Sequence, residues 1–360
     1  MKKIEGLRCV ECATELGLAE AKYICPRCGG NLSVIYDYKA LRKSLSRKSL
    51  KADPERSLWR YLAILPLDGR AGIAPVAVGW TPLYHARMLG AGLGLKRLYL
   101  KDDGRNPSAS FKDRASAVVA ARAFQTKEKT VAGASTGNAA ASLACMMAQR
   151  DAKPVIFVPR TAPAAKLAQL LIYGATVFSV DGAYDEAFDL CRKACDEFGW
   201  YNRNTGYNPF TREGKKTCAF ELCEQLDWKV PDFVFVPVGD GNIISGIWKG
   251  FTEFRALGLI DKLPKLVAVQ AEGSAAIARA LKDGGPIRPV NGKTVADSIS
   301  VSLPRDGAAA VAAVKQSKGF AVTVTDRELL AAIRAVAQGA NVFAEPAAAA
   351  AYAGLLKAAS

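Results

Sequence analysis

From about residue 75 onward, short apolar runs alternate with longer helical ones, and this alternation restricts the fold more than any other feature of the chain. The strand-like runs are 97–101, 130–134, 154–159, 175–180, 232–237, 265–269 and 320–324. Helical periodicity fills 115–124, 139–149, 164–173, 184–198 and 243–254, and the alanine-rich stretch 347–351 reads as a close-packed buried helix. Apolar runs of this length without polar alternation are buried on both faces, as parallel strands joined by helices are. The fold class is therefore α/β. In such sheets ligands sit beyond the carboxyl ends of the strands, so the loops after strands are where chemistry is expected. A chain of 360 residues has length for two or three domains. It holds no run of 18 or more uncharged apolar residues, so no membrane-spanning helix is expected.

The N-terminal segment follows another logic. Cys9-Val-Glu-Cys12 and Cys25-Pro-Arg-Cys28 are two CxxC pairs separated by 12 residues. Each CxxC turn aims two thiolates at one centre, and two turns supply the four tetrahedral sulfur ligands that Zn²⁺ prefers. Gly29-Gly30 after the second pair suits a tight turn around a metal. The other reading is four plain thiols or a CxxC redox pair. Residues 1–40 are expected to form a zinc-ribbon-like segment with a structural ion, because four thiolates leave no coordination position for chemistry. Cys145, Cys191, Cys195, Cys218 and Cys223 lie in helical patterns and read as buried fillers.

The formal net charge is +15, and a surplus of that size suits an anionic partner. The stretch from Lys39 to Arg60 mixes basic residues with leucines. Beside a zinc ribbon it could grip nucleic acid, but no aromatic interleaving supports base stacking, and a solvated helical face is the simpler reading. A single histidine, His85, excludes His-rich metal sites. The start of the chain carries two lysines without an apolar stretch behind them, so a cytoplasmic address is expected.

Three loops are candidates for chemistry. Asn106-Pro-Ser-Ala-Ser-Phe-Lys-Asp-Arg114 leads into a helix. A lysine at a helix start faces an unfavourable dipole, which favours the neutral amine that Schiff-base chemistry needs; a surface lysine pairing with Asp113 fits the same residues. Ser135-Thr136-Gly137-Asn138 follows a strand, and its small residues would let a flat ligand reach hydroxyl and amide donors. An ordinary helix N-cap by Ser or Thr fits as well. Gly239-Asp240-Gly241-Asn242 lies between a strand and a helix, where consecutive N–H groups make a phosphate nest or a plain tight turn. A reactive lysine, an oxygen-binding loop and a phosphate cradle match the aldehyde, ring hydroxyl and phosphate of pyridoxal 5′-phosphate.

With these motifs in this order, the chain resembles the threonine synthase family of fold type II pyridoxal-phosphate enzymes. The stretches that carry the resemblance are NPSASFKDR (106–114), STGNAAAS (135–142), NPFTREGKKT (208–217), PVGDGNIISGIWKGF (237–251) and FAEPAAAAA (343–351). The resemblance implies two three-layer α/β/α domains after the ribbon: a large cofactor-binding domain over 41–106 and 204–360, and a small one over 107–203. It implies that Lys112 joins the cofactor's aldehyde, that Asn138 bonds the ring hydroxyl, and that Gly239, Asp240, Gly241, Asn242 and Ile243 cradle the phosphate. Ser110, Ser135, Thr136 and Asn208 would meet the substrate, with Lys215 or Lys216 in the stretch where the family gathers phosphate contacts. The implied reaction converts O-phosphohomoserine and water to threonine and phosphate, and the resemblance implies a homodimer. Alternatives are a related lyase, threonine dehydratase-like or cysteate synthase-like, and a non-catalytic zinc-ribbon nucleic-acid binder.

Two departures from the family pattern stand out. Ala109 takes the place of a glycine common in the lysine loop. The given sequence ends at Ser360 without the Thr-Gly-His-Gly-like stretch whose hydroxyl would face the pyridine nitrogen.

Overall fold

A computed structural model describes residues 3–135, 137–182 and 184–359. The chain divides into two compact units, one made of Met1–Trp80 with Asp103–Thr217 and the other of Thr81–Asp102 with Cys218–Ser360. Residues 41–80 and 204–217 thus belong with the ribbon and the lysine loop.

The first unit holds two sheets. The N-terminal one is antiparallel, with Ile4–Cys9 between Glu15–Leu16 and Leu32–Tyr36. The other is parallel, in the order Thr176–Val180, Lys153–Pro159, Thr130–Ala134, Tyr201–Asn202. Its interior strands are buried almost end to end, as unbroken apolar runs require. Phe157, Phe188, Cys191 and Cys195 pack in one cluster beneath this sheet, so those two cysteines are core fillers. The helix Lys112–Gln125 is buried on nearly every side, and its alanines leave room for neighbours to come close. The helix Phe210–Lys215 uses that room: a Cβ added at Gly214 would run into the carbonyl of Arg114.

The second unit has a parallel sheet in the order Phe233–Pro237, Lys265–Ala271, Phe320–Val324, and a separate antiparallel pair, Leu83–His85 with Tyr99–Lys101. The expected alanine-rich helix runs over Pro346–Ala359. It lies so close to the sheet that a Cβ at Gly354 would meet Val269. A buried ion pair, Lys101 Nζ to Glu221 at 2.7 Å, fastens the antiparallel pair to the rest of the unit. Among the described residues no helix is long and apolar enough to cross a membrane.

Candidate active site

Lys112 is the first residue of its helix. No side chain caps that helix, since the N-cap position is Phe111, and the Lys112 N–H is held by the Ser110 hydroxyl at 3.2 Å. The side chain of Lys112 is half-buried rather than on the open surface. Its neighbour Asp113 is fully buried and turns back to Ser108, accepting the Ser108 N–H at 2.7 Å and the Ser108 hydroxyl. Burial pushes the Asp113 carboxyl up, against the opposing hydrogen bonds from Ser108 and Ser142. The loop before it is a tight turn in which Ala109 N–H donates to Asn106 O at 2.8 Å. Ala109 has φ +57°, a left-handed conformation that costs a non-glycine residue energy. A strained residue survives there because its surroundings determine the turn: Ser110 is buried, and the Asn106 side chain accepts from Gly79 N at 2.9 Å.

Two residues beyond the lysine, Arg114 is fully buried. It pairs with Asp103 through Nε at 2.6 Å and Nη2 at 2.8 Å, and its Nη1 donates to the Thr217 hydroxyl at 3.0 Å. This bidentate pair fixes the rotation of the lysine helix. Sequence reading did not single out Arg114; the Lys-Asp-Arg triplet was the available signal.

The second loop leaves the strand Thr130–Ala134 and enters the helix Asn138–Met147. Neither Ser nor Thr is the N-cap here. Gly137 occupies that position without a side-chain cap, and the Ser135 hydroxyl accepts from Gly137 N at 3.2 Å instead. The N–H groups of Ala140 and Ala141 return to the Gly137 carbonyl at 3.1 and 3.2 Å. Asn138 is buried, and its Oδ1 accepts from Lys166 Nζ at 3.5 Å. Thr136 lies outside the described residues. Asn208 is fully buried, its amide bridging Asn202 O at 2.7 Å and Phe210 N at 2.9 Å, so it shapes the turn into the helix Phe210–Lys215.

The second unit supplies the glycine loop. The strand Phe233–Pro237 gives way to Gly239–Gly241, and a 15-residue helix, Asn242–Ala256, starts at once with Gly241 as an uncapped N-cap at φ +92°. A Cβ at Gly241 would lie 2.7 Å from Ala310 Cβ and 2.8 Å from Asp306 O, and one at Gly239 would lie 2.9 Å from Ile299 Cα. Only glycine fits at 241, for both space and conformation. The side chains of Asp240 and Asn242 turn away from the helix start. Asp240 accepts from Arg305 N at 3.1 Å, while Asn242 Nδ2 and the Ser245 hydroxyl each donate to Asp306 at 2.7 Å. What the loop presents is backbone N–H at the positive end of a helix dipole, the chemistry of an anion cradle.

In the ribbon, the sulfurs of Cys9, Cys12, Cys25 and Cys28 all lie within 4.8 Å of one another. The Cys9–Cys28 pair is 3.4 Å apart and the Cys12–Cys25 pair 3.7 Å. Tetrahedral Zn–S bonds of about 2.3 Å place sulfurs about 3.8 Å apart, so the donor set has the size and chemistry for zinc.

A family of pyridoxal-phosphate dependent enzymes matches residues 75–360. The threonine synthase of Methanocaldococcus jannaschii is 41% identical over 97% of this chain and 86% of its own length. That of Methanosarcina acetivorans is 42% identical over 98% and 86%. The chain belongs to the threonine synthase family of pyridoxal-phosphate dependent enzymes. Among solved structures, a threonine deaminase isoform from Solanum lycopersicum superposes with a TM-score of 0.64 at 25% identity, covering 76% of this chain and 77% of that one. The α/β fold with parallel sheets is thus that of fold type II enzymes. As a threonine synthase family member, the chain offers a half-buried lysine at a helix start, a buried amide at a second helix start and an uncapped glycine-rich helix start. Each, taken within its own unit, has the chemistry to hold one part of pyridoxal phosphate.

Proposed function

We infer that this chain is a threonine synthase, converting O-phosphohomoserine and water to threonine and phosphate. The observation that carries the reading is the 41–42% identity to threonine synthases over nearly the whole chain, against 25% to a deaminase over three quarters of it. In the reaction the Cγ–O bond to phosphate breaks and a Cβ–O bond to water forms, so the phosphate leaves intact.

Bound pyridoxal phosphate would supply an electron sink for charge developing at the substrate's Cα. The residues that would hold it are Lys112 at its aldehyde, Asn138 at its ring hydroxyl and the N–H groups of 239–243 at its phosphate. Lys112 Nζ is the base for the Cα proton and the carrier of protons at Cβ. Ser110, Ser135 and Thr136 are the hydroxyls assigned to the substrate's carboxylate or phosphate. Asn208 is assigned to the substrate as well. The net charge of +15 draws a dianionic substrate toward the protein. The four cysteines hold one structural Zn²⁺, which stabilises a segment too small to bury a core of its own.

The test is turnover of O-phosphohomoserine by purified protein, following threonine and inorganic phosphate together. Equal amounts of both are expected. Ammonia released from threonine, with no phosphate from O-phosphohomoserine, would select the dehydratase-like lyase. Steeply salt-dependent nucleic-acid binding by a colourless protein would select the non-catalytic binder.

A further inference from the structure

The ribbon is joined by buried polar contacts to the segment around the helix Phe210–Lys215, which packs against the lysine helix at Gly214, and a metal module serving only its own fold would not need them. Its strand Leu32–Tyr36 ends on Tyr36, which is fully buried and donates to Glu213 at 2.6 Å. Lys216 Nζ donates to the same Glu213 oxygen at 2.6 Å and lies 4.2 Å from the centre of the Tyr36 ring. Glu213 and Lys216 are themselves fully buried, so three polar groups of one cluster are closed off from water. At the other end of the same strand, Leu32 O accepts from Arg212 at 3.3 Å. Glu213 and Arg212 belong to the helix whose Gly214 touches the backbone of Arg114, two residues from Lys112.

A second contact runs to the other loop. Tyr23, two residues before the metal-binding Cys25, accepts from Asn202 N at 2.8 Å. The Asn202 side chain accepts from Asn204 N at 2.8 Å, and Asn204 in turn accepts from Ala134 N at 2.7 Å, just before Ser135. The segment 202–216 is therefore held at both ends by the ribbon and touches the chain beside each loop, at Ala134 and at Arg114.

We propose that Tyr36 and Glu213, with Tyr23 as a second tether, are positioning residues through which the four-cysteine module sets the place of Lys112 and of the 135–138 loop. The inference rests on the threonine synthase reading. The energetic case is that a buried carboxylate shared by a phenol and an ammonium cannot shift without losing strong bonds, so ribbon and lysine helix move as one body. The metal then acts on turnover at a distance, by keeping Tyr23 and Tyr36 where these bonds need them.

The test compares wild type, Tyr36→Phe and Tyr23→Phe, each with and without chelator treatment. Both substitutions leave the cysteines and the proposed cofactor and substrate residues untouched. In cofactor-free protein, Tyr36→Phe should speed amide exchange over 112–118 and 208–217, and chelation should speed the same amides to a similar extent. In holoprotein, Tyr36→Phe should lower kcat about tenfold with KM little changed, the size expected for one hydrogen bond to a charged acceptor. Chelation of the Tyr36→Phe protein should add little, because both perturbations cut one linkage. Exchange and kcat at wild-type values in Tyr36→Phe, or losses that multiply on chelation, would overturn the proposal. Should chelation unfold the chain, the exchange pattern and kcat of the two substitutions decide alone. A wild type that shows no cofactor band fails the Lys112 reading instead, and the exchange data still judge the tether.

Discussion

Ala109 is one of several residues whose side chain departs from what its backbone prefers, and it is the one in the lysine loop. At φ +57° the left-handed conformation costs alanine about 1–2 kcal/mol, while glycine would lose about 0.5–1 kcal/mol of unfolded-state freedom. Ala109→Gly should therefore stabilise the chain by about 0.5–1 kcal/mol in urea unfolding; a destabilised variant would show that the methyl group packs usefully in the loop. The sequence already marked this position, because a glycine is common there in the family. It marked Lys112 and the glycines at 239 and 241 too, since a helix-start lysine and a glycine loop are local patterns. Arg114 and Glu213 were not legible in that way. Their partners Thr217 and Tyr36 lie 103 and 177 positions away, and a buried charge carries no spacing signature of its own. Asn208, expected from the resemblance to meet the substrate, has its amide bonded within its own turn.

The lysine helix depends on an ion pair at the scale of whole elements. Removing one partner of a buried pair leaves the other charge uncompensated, at a cost of about 3–5 kcal/mol. Arg114→Ala should lose about that much stability, read by denaturant unfolding, because it strands Asp103 and frees the helix from Thr217. A loss under about 1 kcal/mol would mean the helix is held by packing alone. Element positions were readable where periodicity was strong. The strands Thr130–Ala134 and Phe320–Val324 and the helix Tyr184–Phe198 have the expected bounds. The lysine helix starts three residues before the expected 115, because its first turn is set by Ser110 and Asp103 rather than by apolar spacing. The two-residue strand Tyr201–Asn202 was invisible, being too short to show a period.

Across the whole molecule, the ribbon belongs to the same compact unit as Lys112 and Asn138, while the glycine loop 239–241 belongs to the other. Metal removal should therefore act unevenly. Chelator-treated protein is expected to lose protection first in 3–40 and 202–217, with the sheet of 233–237, 265–271 and 320–324 unaffected, as followed by hydrogen exchange; uniform loss would show no such division. The family resemblance placed 41–80 and 204–217 with the larger domain, while they cluster with the ribbon and the lysine loop, because the sequence carries no record of which neighbours close over a segment. The reading as a whole depends on one nitrogen. Holoprotein reduced with borohydride, digested and mapped by mass spectrometry should carry the reduced cofactor on the peptide containing Lys112. Reduced cofactor on another lysine, such as Lys215 or Lys216, or on none, would contradict it.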